Sequence, residues 1–351
     1  MAGSSIPGVV IRGIASAVPE RTQGLKDLPE LFGGSDAGKI IEVTGVRSWH
    51  VCRPGQTASD LCLAAAETLL KNLSWDRDSV EALVFVSQTF DYVAPATSCC
   101  LQARLRLPKS CAAFDVALGC SGYVYGLWIA SSLMLAGCRR VLFLAGETAT
   151  RIISPVDKAA VPLFGDAGTA TALEREDGHV IHFDLGTDGT GFEHLIIPAG
   201  GQRRPRSSQS AVRTPREGGN VRSDEDLYMN GPEVFTFTLR EVPPLLNRIL
   251  ARAGWTKEQV DFFVLHQANK WMLDKLAKRL GIPAASLPIA LEEFGNTVSA
   301  SIPLAITHSL RGSAAQESRR LVLAGFGVGL SWGAAALELG PIVLPELEIV
   351  P

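Results

Sequence analysis

From Ser121 to Ala136 the chain is apolar on nearly every side of a helical wheel, with Leu127, Trp128, Ile129, Leu133, Met134 and Leu135 in one run. Such a pattern predicts a helix buried on all faces. The stretch before it, Ala112 to Leu118, reads as a short buried strand. Other elements follow from the same periodicities. Val9 to Ala17 is a β-branched run ending near Pro19, a first strand. Thr57 to Lys71 carries Leu61, Ala64, Ala65, Leu69 and Leu70 at helical spacing, and Val80 to Val86 is a largely apolar strand. A helix from Thr97 to Leu107 lies between Pro95 and Pro108, and Val141 to Ala145 is another buried strand. Gly165 to Ala170 (GDAGTA) reads as a tight glycine turn into a further strand.

The order repeats in the second half. Lys71 to Phe85 reads KNLSWDRDSVEALVF and Arg252 to Leu265 reads RAGWTKEQVDFFVL, which pairs Trp75 with Trp255 and Val80 with Val260, both 180 residues apart. Next, LQARLRLP (Leu101 to Pro108) matches LAKRLGIP (Leu276 to Pro283) at an offset of 175. Two matches in one order at nearly one offset argue for an internal duplication, with residues 1–180 as one half and 181–351 as the other. Val86 then corresponds to His266, each at a strand end. Gly119-Cys120 corresponds to Gly295-Asn296, each a Gly-then-polar turn before an apolar helix, which is Ile302 to Leu310 in the second case. Ligands of open α/β sheets gather at the carboxyl ends of strands. Two such halves packed together predict that Cys120, His266 and Asn296 meet.

Gly200 to Asp226 interrupts this regularity and carries Arg203, Arg204, Arg206, Arg213, Arg216 and Arg222 among Ser and Gly. It reads as a solvated, mobile insertion. The alternative is a cationic flap for a phosphate-bearing substrate or an acidic carrier protein.

Composition narrows the class. At 46% hydrophobic and 20% charged, the 351 residues have an ordinary globular make-up, and a net charge of -3 points to neither nucleic acid nor an anionic membrane. The seven cysteines are odd in number and form no CxxC pair, and the N-terminus has no charged-then-apolar signal, which reads as a reducing, cytoplasmic setting. No apolar run of transmembrane length is free of Gly or charge.

Cys120 falls where a strand turns into the start of the central helix, with Gly119 and Gly122 permitting the turn. The unpaired first amides of a helix favour a thiolate, the nucleophilic form of the side chain. The other reading is a small buried cysteine packed at a helix start. His266, at the tip of FFVL, suits a general base or hydrogen-bond donor. Asn296 alone reads as a turn residue. Together the three supply a nucleophile and two donors for a developing oxyanion.

The stretches DVALGCSGYVYGL, VLHQANKWML, EEFGNTVSASIPLA and GFGVGLSWG resemble the blocks of the β-ketoacyl-[acyl-carrier-protein] synthase III family of thiolase-like condensing enzymes, as do TGVRSWHV near Thr44 and FGDAGTATAL near Phe164. The resemblance runs in order along essentially the whole chain. It implies an α/β protein with a duplicated, five-layered α/β/α/β/α thiolase-like fold, usually a homodimer. It implies Cys120 as the acylated nucleophile, and His266 and Asn296 as the pair that drives malonyl decarboxylation. The backbone N–H groups of Cys120 and Val328 would form the acyl oxyanion hole, and Ala94, Lys158, Phe235 and Asn269 would fall at substrate-binding positions. No metal and no cofactor is implied. The substrates would be an acyl-CoA or acyl-carrier thioester and a malonyl-acyl carrier protein or malonyl-CoA, in fatty-acid or related secondary-metabolite biosynthesis, and no nucleic acid or membrane is implied as a partner.

The chain departs from that pattern outside the three central residues. The family's adenine-clamping Trp and Arg fall near Lys39 and Val43, a phosphate-binding Arg is replaced by Lys158, and an Arg that docks the acyl carrier falls near Trp271. The residue before Pro95, which in the family reaches into the partner's acyl tunnel, is Ala94. Three other readings compete with condensation: acyl transfer to an alcohol or amine without decarboxylation, a Cys-His-Asn hydrolase, and a non-catalytic subunit of a heterodimeric synthase. Retention of Asn296 favours condensation over simple transfer. The duplicated halves disfavour the hydrolase, and the intact triad disfavours the non-catalytic subunit.

Overall fold

The computed structural model describes residues 2–32 and 36–351. Nine strands form one continuous, bent sheet: β1 (Ala2–Pro19), β2 (Ala82–Val86), β3 (Ala112–Val116), β4 (Arg140–Thr148), β5 (Asp166–Thr187), β6 (Phe262–Leu265), β7 (Arg319–Gly327), β8 (Ser331–Leu339) and β9 (Glu348–Val350). The main path runs β6-β7-β8-β5-β4-β2-β3, with β1 along β5 and β9 beside β1. The eight helices that matter for the site are α1 (Asp36–Thr44), α2 (Ala58–Leu73), α3 (Thr97–Arg104), α4 (Gly122–Leu135), α5 (Gly231–Ala253), α6 (Lys270–Leu280), the short α7 (Leu291–Phe294) and α8 (Ser301–Ser309).

Long strands join the two halves. β5 pairs with β4 through Asp166 to Glu174 and with β8 through His182 to Thr187. The expected boundary near residue 180 therefore falls in the joint between the two pairings. α2 packs on the outer face of β1, β4 and β5, and α5 packs on the opposite outer face over β7 and β8. Between them α4 touches β2 and β4 on one side and β7 and β8 on the other, with α8 beside it against β1, β6 and β7. The order is α/β/α/β/α, five layers with two helices in the middle.

The repeat read from the sequence has a close physical counterpart. α2 ends at Ser74 (φ 52°) and α5 at Gly254 (φ 69°), both left-handed caps. Trp75 N–H then donates to Leu70 O at 3.1 Å, and Trp255 N–H to Leu250 O at 3.0 Å. The Arg140 guanidinium lies 4.6 Å over Trp75, and that of Arg320 lies 5.2 Å over Trp255. α3 is followed by Arg106 (φ 54°) and α6 by Gly281 (φ 64°). The expected helix at 97–107 therefore stops at Arg104, where the chain reverses in the same way as after α6.

Three expectations need correction. The strand at Ala112 is not buried: β3 ends the sheet, Ala112 is exposed and the rest of the strand half-buried. The helix after Cys120 is not buried on every face, because Leu135 is 57% exposed and Trp128, Ile129 and Leu133 are half-buried. An apolar pattern reports what a residue prefers, not whether one chain alone covers it. The glycines of Gly165 to Ala170 make no turn into a strand. Gly168 already lies inside β5, under α2, where an added Cβ would collide with the backbone of Leu61 and Cys62. Among the described residues no helix is long and apolar enough to cross a membrane.

Candidate active site

Cys120 sits between β3 and α4, where Gly122 N–H donates back to Gly119 O at 2.7 Å and closes a tight turn. The β7–β8 connection packs directly on it. A Cβ at Gly327 would lie 2.7 Å from Cys120 Cβ and 2.9 Å from its Sγ, so glycine there leaves room for the thiol. The backbone N–H groups of Val328 and of Cys120 itself both reach the sulfur. Two preset backbone donors therefore face the sulfur.

The thiol does not behave as the helix-start argument predicts. Burial pushes it up to about 12; the two N–H groups pull the other way, and the carboxylate of Glu147 adds to the rise. Desolvation of a fully enclosed thiolate outweighs the partial charges of a few amides. The resting side chain is a neutral thiol, 7% exposed, facing a cavity.

His266 follows β6, and its N–H continues the strand ladder to Ala324 O at 2.8 Å. Its Nδ1 lies 2.7 Å from Ser301 Oγ at the start of α8, and its ring packs edge-on against Phe326. Burial pushes the imidazole down to about 3, against the pull of the Val298 carbonyl, which favours a ring proton. The ring is therefore neutral at physiological pH, and of the two roles left open by the sequence this favours hydrogen-bond donor over base.

Asn296 follows α7 and is pinned by two bonds: its N–H donates to Leu163 O at 2.6 Å, and its carbonyl accepts from Gly165 N–H at 3.2 Å. Its side-chain Oδ1 accepts from Val298 N–H at 2.9 Å. With the oxygen so occupied, the amide Nδ2 is the end left for a ligand. The turn holds Val298 at φ 53°, a left-handed conformation that costs a β-branched residue energy and persists only where its surroundings enforce it.

Cys120, His266, Asn296 and Val328 line one cavity, walled by apolar side chains including Leu163, Leu195 and Met229. The substrate-binding expectations divide. Asn269 lines the cavity while capping α6, its Oδ1 accepting from Met272 N–H at 2.8 Å. Phe235 does not line it; the ring stacks 4.3 Å from Trp271 at the surface, while its neighbour Val234 faces in. Lys158 and Ala94 are exposed and lie outside the lining of this single chain, as do Lys39 and Val43 on α1.

The arginine-rich segment is exposed but not a free cationic flap. Arg204 and Arg216 pair with Asp224, Arg206 with Glu225, Arg213 with Asp226, and Arg222 with the buried Asp157. Three consecutive acids at its end pair with four of its six arginines. Sequence reasoning missed Ser301, Gln88 and Glu147. The last had a legible signal, a carboxylate closing the apolar strand run VLFLAGE. Among the described residues no cluster of three His, Cys, Asp or Glu side chains is placed to hold a metal ion.

Comparison with known proteins shows the family and the fold. Residues 114–189 match the family model for 3-oxoacyl-[acyl-carrier-protein (ACP)] synthase III, and residues 250–339 match the model of its C-terminal part. The chain is 32% identical over 343 residues to a putative 3-oxoacyl-[acyl-carrier-protein] synthase 3 of Campylobacter jejuni, covering 97% of this chain and 96% of that protein. It is 35% identical over 333 residues to β-ketoacyl-[acyl-carrier-protein] synthase III 3 of Streptomyces coelicolor, covering 93% and 96%. The crystal structure of a 3-oxoacyl-(acyl-carrier protein) synthase from Burkholderia xenovorans LB400 superposes with a TM-score of 0.93 at 42% identity, covering 99% of both chains.

Proposed function

The chain belongs to the 3-oxoacyl-[acyl-carrier-protein] synthase III (β-ketoacyl synthase III) family and is a condensing enzyme of the transferase class, and on that premise we propose that Cys120 is the nucleophile it acylates. In the first half-reaction the sulfur attacks the carbonyl of an acyl thioester, of CoA or of a carrier protein. The carbonyl oxygen takes up negative charge toward the N–H groups of Cys120 and Val328, and the donor thiol leaves with the proton that the cysteine gives up. In the second, a malonyl thioester loses CO2. The electron pair of the broken carbon–carbon bond becomes an enolate, whose oxygen accepts from His266 and from Asn296 Nδ2. The enolate carbon then attacks the acyl-cysteine, releasing a 3-oxoacyl thioester and the Cys120 thiolate, which recovers a proton.

The observation that carries this reading is the convergence of Cys120, His266 and Asn296 on one cavity, with two backbone donors at the sulfur. A neutral imidazole suits the role, since it donates without needing to gain a proton first. Residues 1–180 and 181–351 act as two halves, the first supplying the nucleophile and the second the enolate donors. Asn269 and Val234, in the first turn of α5, flank the entering thioester arm, and Lys158 meets a donor phosphate outside the cavity.

The working unit is a homodimer. β3 pairs with β2 on one side only, and the neighbouring loop exposes Tyr92 and Val93. An open edge of this kind is satisfied by a second copy, which would also bring Ala94 of one subunit to the acyl cavity of the other.

The test is incubation with an isotopically labelled acyl-CoA, mass mapping of the labelled cysteine, then addition of malonyl thioester. Label on Cys120 followed by CO2 and a 3-oxoacyl product is the expected result. Label elsewhere, or acyl transfer without CO2, overturns it.

A further inference from the structure

Glu147, at the end of β4, is 1% exposed, and no Arg, Lys or His among the described residues pairs with its carboxylate. It is held only by neutral donors. Gln88 N–H reaches its two oxygens at 2.9 and 3.1 Å, Thr89 Oγ1 donates at 2.8 Å, Ser87 Oγ at 3.2 Å and Ser299 Oγ at 3.4 Å. Thr148 N–H, next in sequence, donates to Thr89 Oγ1 at 3.0 Å and fixes the same loop. A buried carboxylate without a cation is costly, and burial pushes this one up to about 7. An apolar residue would fill the end of a strand more cheaply, so the carboxylate calls for another reason.

Its partners supply one. Ser87 to Thr89 follow β2 in the first half, and Gln88 lines the cavity beside Cys120. Ser299 belongs to the second half, three residues after Asn296 and adjacent to Val298, which also lines the cavity. No other acceptor receives hydrogen bonds from both segments among the described residues.

We propose that Glu147 is a positioning residue for condensation: its carboxylate ties the Gln88 loop of one half to the Asn296 turn of the other and so sets where the enolate donor stands relative to Cys120. The proposal rests on the reading of Cys120 and Asn296 given above. Glu147 touches no reacting atom. It acts through the two segments it joins and, being negative beside the thiol, through the reactivity of the resting sulfur.

Two variants separate these effects. E147Q keeps the shape and removes the charge; S299A keeps the charge and removes the link to the Asn296 turn. Each is assayed for Cys120 alkylation by iodoacetamide at pH 8, for acyl loading, and for kcat and KM of malonyl-CoA decarboxylation. For E147Q, alkylation should rise about three- to tenfold, the effect of lowering the thiol by about half to one unit. Its decarboxylation kcat should fall about tenfold with KM within about twofold. For S299A, kcat should fall several-fold with alkylation unchanged and acyl loading retained. Wild-type kcat in S299A overturns the proposal. So does an E147Q protein whose three activities fall together with its melting temperature, since that marks a packing role alone. Failure of the underlying reading is seen separately, as acyl loading that survives Cys120→Ala.

Discussion

The Oγ of Ser301 lies 2.7 Å from Nδ1 of His266 and also accepts from the N–H of Gln267 at 3.4 Å. The hydroxyl can give its own hydrogen to Nδ1, and the ring that receives it carries its hydrogen on Nε2. We propose that Ser301 holds His266 in this donor tautomer. Ser301→Ala should lower malonyl decarboxylation about tenfold and leave acyl loading on Cys120 close to wild type. Equal loss of both steps would place Ser301 in folding rather than in tautomer control.

With Oδ1 accepting from Val298 N–H, Nδ2 is the donor that Asn296 can give to an oxyanion. Removing one oxyanion donor costs ~10²–10³ in rate. Asn296→Ala should decarboxylate malonyl thioester slower by about that factor while still forming the acyl-cysteine. Unchanged decarboxylation would move the chain to the acyltransferase that works without loss of CO2.

The neutral thiol makes a pH prediction. Burial pushes Cys120 up to about 12. Below that value the thiolate fraction, and with it the alkylation rate of the free protein, rises about tenfold per pH unit. Between pH 7 and 9.5 the log of the rate should climb without a plateau. A plateau by about pH 8 would mean that the helix start governs the thiol after all.

Ala94 is exposed in the single chain, on the loop that also carries the exposed Tyr92 and Val93. If it faces the partner's acyl cavity, its small side chain leaves space for longer acyl groups, each buried methylene adding ~0.8 kcal/mol. That is a factor of about four per carbon. Ala94→Phe should shift the chain-length profile of kcat/KM for Cys120 acylation toward acetyl. An unmoved profile, or an acetyl preference already in the wild type, would show that Ala94 does not set the length.

The paired arginines change what substitution should do. Arg204 and Arg216 share Asp224. Replacing both with Gln should leave the donor KM and its salt dependence within about twofold, because most of the segment's charge is answered internally. A large rise in KM at low salt would restore the cationic-flap reading.

Much of the molecule is written locally. Helical and strand periodicities place α2, α4, β2 and β4 within a few residues, since each depends on neighbours three, four or two positions away. The duplication was legible because Trp75 and Trp255 mark the same helix cap, strand entry and arginine stack. Cys120 and His266 stood out because each combines a reactive side chain with a turn or strand end, and Asn296 because the repeat places it where Cys120 stands in the first half.

What the tertiary structure alone decided involves partners far apart in the chain. Whether β3 is central or at the edge depends on which strands lie beside it, and its apolar pattern is the same either way. The charge of the Arg203–Arg222 region depended on Asp157 and on which carboxylates fold back onto it. The state of the Cys120 thiol turned on a competition between burial and a few amides, and burial is a property of the assembled fold. Glu147 is linked to Gln88 across 59 residues and to Ser299 across 152. No periodicity spans such distances, so the network became visible only once both halves closed around the cavity.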